Sequence, residues 1–161
     1  MNEVGIQVNL LLDTLNRKRQ LLREIKKYTE DQKVLLSKED FDMKAFKNVM
    51  KNKQVRIDLL AKLDDGFQST FERVKNVLIS QPTIYKDEIL EMKNLIKEVS
   101  DLGIDVQVQE ERNKINFEVK SKGVKSEVKS FRSHKTAMKK YQNSYNSQNK
   151  ADAPKFFDSK K

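Results

Sequence analysis

A chain of 161 residues, 37% hydrophobic and 35% charged, has the length of one ordinary domain. With 4 Gly, 2 Pro and no Cys, it lacks the turn residues of a many-stranded sandwich or barrel, a disulfide framework, an all-cysteine zinc site and a thiol nucleophile. The net charge of +9 falls entirely on residues 120–161, which hold 12 Lys and Arg against 3 Asp and Glu. Before residue 120 the two signs cancel.

Charge this dense, with only 7% aromatic residues, points to long helices joined along thin apolar seams. In the first stretch, Val8, Leu11, Leu12, Leu15, Leu22 and Ile25 recur in steps of mostly three and four. No Pro interrupts them, and good helix formers fill the other face, so a helix is predicted over about 3–36. The N-terminus has no basic region followed by an apolar core, and its longest apolar run is Leu10 to Leu12. That is far below the ~20 residues needed to span a bilayer, so a cytoplasmic chain without membrane insertion is expected. Ser37, Asp40 and Asp42 then gather cap-type side chains at a turn.

The second stretch is the most regular. Phe46, Val49, Lys53, Ile57, Leu60, Asp64, Phe67, Phe71, Val74 and Leu78 form a seam of coiled-coil spacing, with Leu63 beside the acidic Asp64. It predicts a helix over about 42–80, about 58 Å long at roughly 1.5 Å per residue. Gly66 is its weak point, at about 1 kcal/mol against Ala. Gln81-Pro82-Thr83 ends it, because Pro lacks the N–H and restricts the residue before it.

The third stretch opens near Tyr85 with Ile89, Met92, Ile96, Val99, Leu102 and Val106. Residues 103–108 and 115–119 also alternate with period two, so a short hairpin is conceivable. Residues 109–114 between them have no turn chemistry and strong helix formers, which favours one helix over about 85–141, with Gly103 and Gly123 as soft points. From Gln142 the composition is too polar to repay ordering, and residues 142–161 are predicted to be a flexible tail. The fold expected is all-α: an elongated antiparallel three-helix coiled-coil-like bundle over 1–141, followed by that tail.

Catalytic chemistry is not expected. His134 sits among Arg132, Lys135, Lys139 and Lys140 with no acid to orient it. The carboxylate pairs Asp64-Asp65, Asp87-Glu88 and Glu110-Glu111 point about 100° apart on a helix and do not converge on one substrate atom. Phosphate-loop, nucleophile-elbow and zincin motifs are missing from the chain. The reading is of no enzyme, cofactor or metal.

The basic segment 120–141 carries the candidate partner-binding residues Val124, Val128, Phe131, Met138 and Tyr141. The first four follow helical spacing, so this stripe either completes the chain's own bundle or docks a partner helix. Nucleic-acid binding ranks lower, since only Phe131 and Tyr141 could stack on bases and no helix-turn-helix accompanies them. Adsorption to anionic lipid ranks lower too, because the apolar face is narrow and lacks Trp.

The run Phe46 to Phe67, with its Ile57-Asp58-Leu59-Leu60-Ala61-Lys62-Leu63-Asp64-Asp65-Gly66-Phe67 core, resembles the second helix of small bacterial flagellar export chaperones. Val106 to Lys114 resembles their third helix, and Phe156-Phe157-Asp158 with the following Lys residues resembles their ending. The resemblance, to the FlgN/FliT-like type III export chaperones, covers roughly residues 8–141 and the tail. It implies a cytosolic helical hairpin with an added C-terminal helix that binds the amphipathic terminal helices of hook–filament junction or filament-cap subunits. Such chaperones stop those subunits assembling early and deliver them to export-gate components. By position, the substrate-binding helix maps onto Val124, Val128, Phe131, Met138 and Tyr141. The high Lys content of 120–140 departs from that pattern. A homodimer is compatible with this reading. The alternative is a coiled-coil scaffold whose basic C-terminal arm binds nucleic acid.

Overall fold

The computed structural model describes residues 2–122. Three helices, α1 (Glu3–Ser37), α2 (Met43–Ser80) and α3 (Lys86–Lys122), make up almost all of that span, with no strand among the described residues. The hairpin conceivable over 103–119 does not form, and the helix passes through Gly103. The predicted continuation to residue 141 and the predicted tail 142–161 lie outside the described residues.

Each boundary has a local cause. Asn2 caps α1, its side chain accepting the Gly5 N–H at 2.7 Å. Asp42 does the same for α2 through Ala45 N–H at 3.0 Å, as its cap-type chemistry predicts. α2 stops at Ser80, one residue before Gln81-Pro82.

The helices pack around α1, which runs closely along both α2 and α3. Each buries one seam of alternating three- and four-residue steps. On α1 it runs Val8, Leu11, Leu15, Lys18, Leu22, Ile25, Thr29, Gln32 and Leu36. On α2 it runs Met43, Phe46, Met50, Lys53, Ile57, Leu60, Asp64, Phe67, Phe71, Val74 and Leu78. The predicted Val49 is only half-buried, and Met50 takes the seam position beside it. On α3 the buried set is Ile89, Met92, Leu95, Gly103, Val106, Glu110, Asn113 and Phe117, with Gly103 rather than Leu102 at the seam.

The core falls into three apolar compartments. One end is built on Leu11, Phe67, Phe71 and Met92, and the middle on Leu22, Ile25, Ile57, Leu60 and Val106. The far end is built on Leu36, Met43, Phe46, Met50 and Phe117. There Phe46 stacks on Phe117 with centroids 5.0 Å apart, and Phe41 meets both edge-on.

Candidate partner-binding surfaces

Two buried ionic layers separate the compartments. Lys18 of α1 pairs with Asp64 of α2, and the Lys18 ammonium also lies 5.8 Å from the Phe67 ring centroid. The sequence puts Leu63 beside Asp64 as its cover; the cover is instead an opposite charge on the neighbouring helix. The second layer is wider. Lys53 of α2 donates to both Glu110 of α3 and Gln32 of α1. Beside it, the Asn113 amide donates to the Thr29 carbonyl at 2.9 Å, and the Thr29 hydroxyl donates to the Ile25 carbonyl at 2.7 Å. Removal from water pushes the Lys53 ammonium below its ordinary 10.5, against the opposing pull of the Glu110 carboxylate.

These layers are structural. Their charged atoms are sealed and face each other, so they offer nothing to a ligand. No group of three or more His, Cys, Asp or Glu among the described residues could hold a metal ion. The carboxylate pairs divide as the helical geometry requires: Asp64 and Glu110 point inward while Asp65 and Glu111 point to solvent. A groove between α1 and α3, lined by Lys26, Glu30, Asp105, Val108 and Arg112 among others, mixes polar and apolar surface and is bridged by the Lys26–Asp105 pair at 3.5 Å.

The predicted contact residues Val124, Val128, Phe131, Met138 and Tyr141 all lie outside the described residues. As described, α3 reaches Lys122, beside the aromatic compartment and the α1–α2 turn, where the Lys120 ammonium donates to the Lys38 carbonyl at 2.7 Å. Among the described residues the last buried apolar side chain is Phe117.

Sequence reasoning did not single out a second apolar surface. Ile104, Val108, Ile115 and Val119 are 55%, 47%, 55% and 65% exposed on the outer face of α3. At 3.6 residues per turn they fall within about 60° of arc, opposite Val106, Glu110, Asn113 and Phe117. The signal was present in the spacing, hidden inside the period-two alternation that suggested a hairpin.

No described helix is long and apolar enough to cross a membrane. A search among curated proteins and one among solved structures each matched nothing. A family model does match, that of the FlgN protein, over residues 1–152. The match takes in all three helices and the basic segment after them. The FlgN proteins are chaperones of flagellar type III export rather than enzymes. With the family model spanning nearly the whole chain and a three-helix bundle beneath it, the protein belongs to the FlgN family of flagellar export chaperones.

Proposed function

We propose that the protein works in the cytoplasm as the chaperone of hook–filament junction or filament-cap subunits. It binds their amphipathic terminal helices, keeps them from assembling early and hands them to export-gate components. The contact surface is the stripe Val124, Val128, Phe131, Met138 and Tyr141. The family match carries this reading, because it extends through that stripe to residue 152. A further observation supports it. The spacing of Val124, Val128 and Phe131 suits a helix laid against a helix.

The test is co-purification of the full chain with each junction or cap subunit, with and without Val128→Asp and Phe131→Asp. A charge placed on an apolar docking stripe is expected to abolish capture, and capture by the wild-type chain is expected to persist at high salt. Capture that survives both substitutions would overturn the site assignment. Nucleic-acid binding behaves oppositely: it should weaken steeply with salt and with loss of Lys122, Lys125 and Lys129.

A further inference from the structure

The two halves of α3 are fastened to the α1–α2 hairpin by different chemistry. Residues 86–102 bury Ile89, Met92 and Leu95, with Ile96, Val99 and Leu102 partly buried against the same core. In residues 103–122 the buried apolar side chains are Val106 and Phe117, about three turns apart. Between those two the inward positions are Glu110 and Asn113. What fastens this half is largely polar. Glu110 accepts from Lys53, the Asn113 amide donates to the Thr29 carbonyl at 2.9 Å, and the Lys120 ammonium donates to the Lys38 carbonyl at 2.7 Å.

We propose that residues 103–122 form a strap that opens from the hairpin and recloses as one unit while residues 86–102 stay docked. An apolar side chain that leaves a core loses its burial outright, whereas polar fasteners exchange protein partners for water at small net cost. Lys53 and Glu110 moreover recover, on opening, the hydration they gave up. An apolar helix in the strap's place would not restore it, so opening to water and resistance to an intruder coexist. The hairpin holds without the strap. Leu22, Ile25, Ile57 and Leu60 share one compartment, all from α1 and α2. Arg56 ties the same two helices, pairing with Glu24 at 3.4 Å and lying 4.9 Å from the Tyr28 ring centroid. Gly103, the one glycine of α3, stands at the boundary between the halves, where a helix breaks most readily. Units that open below the global transition are drawn from such weakly apolar parts of a fold. The chain runs on from Lys122 into the stripe proposed to hold cargo, so a partner that binds the open and closed forms unequally shifts their populations. The strap itself stands whether or not the cargo reading does.

The experiment is native-state hydrogen exchange of the full chain, read by mass spectrometry of peptic peptides. Peptides within 104–122 should exchange at one shared rate, about tenfold or more faster than those of 86–102 and of the facing stretches of α1 and α2. Leu95→Ala weakens the closed and strap-open forms alike relative to the unfolded chain. It should therefore speed exchange in 86–102 by about tenfold or more and leave 104–122 unchanged. Ile89→Val should do the same on a smaller scale, which keeps the test decisive if Leu95→Ala does not fold. Lys53→Met with Glu110→Leu removes the hydration gained on opening and should slow exchange in 104–122 by about tenfold or more. Equal rates in the two halves of α3 overturn the proposal, and so does either apolar variant acting equally on both. Rates that fall steadily inward from Lys122 are fraying of a helix end and overturn it too. A double variant that leaves 104–122 unchanged has the same force.

Discussion

Lys53 decides more than any other side chain in the bundle. It is an ammonium sealed between three helices, and its neighbours hold it by Glu110 on one side and Gln32 on the other. Removing one member of such a pair leaves an unpaired buried charge, so Lys53→Met should destabilise the protein by about 3–5 kcal/mol. Lys53→Met with Glu110→Leu replaces both charges and should be near neutral or stabilising, by up to about 4 kcal/mol. Urea unfolding of the three proteins separates the cases. The pH dependence has a defined sign. Burial lowers the folded-state pKa of Lys53 below 10.5, so in that window the unfolded chain binds more protons than the folded one. The Lys53 contribution to stability therefore rises with pH through the window and is lost as pH falls through the lowered value. Stability of the wild type relative to the double variant should climb as pH approaches 10.5, and a flat or falling difference would contradict the assignment.

At the scale of the helix, Gly66 shows what the bundle does not need. It was legible as a weak point of α2, yet it lies in unbroken helix with open space where a Cβ would stand. Gly66→Ala should raise stability by about 0.5–1 kcal/mol, read as an increase in the urea midpoint at constant slope. Phe117 is the opposite case: it is fully buried and stacked on Phe46, so Phe117→Ala should cost about 3–5 kcal/mol. The element boundaries were readable because caps and Pro act locally. The α2 seam was readable, with Lys53 and Asp64 in it, because large apolar residues bracket both. The seams of α1 beyond Ile25 and α3 beyond Val106 were not. There Thr29, Gln32, Glu110 and Asn113 hold the inward positions, and an apolar-only pattern cannot register them. The strand-like alternation of 104–119 has the same origin. Inward Val106 and Phe117 are each flanked two residues away by outward apolar residues, about 200° around the helix. Two opposed apolar faces on one helix imitate period two.

For the whole molecule, the proposed cargo stripe follows in sequence after the last buried apolar residue among those described. All the buried apolar residues of the described core lie between Val8 and Phe117. A chain ending at Lys122 should keep its helical far-UV signal and a cooperative thermal transition while losing capture of its subunits. Collapse of that signal would mean that the missing residues close the bundle. The three-helix character of the protein was legible in composition and spacing. Partner surfaces were less so, because an exposed stripe and a buried one have the same period, and only packing reveals which face α1 has already taken.

The ionic layers have a consequence for a protein proposed to carry amphipathic helices. A purely aliphatic bundle can shift by a heptad, or admit an intruder in place of one of its own rods, at little cost. Here either event strands Lys53 or Asp64 against hydrocarbon with no counter-charge. The bundle is thereby locked in alignment and closed to invasion, so that a client can be carried on its flank without prising it open.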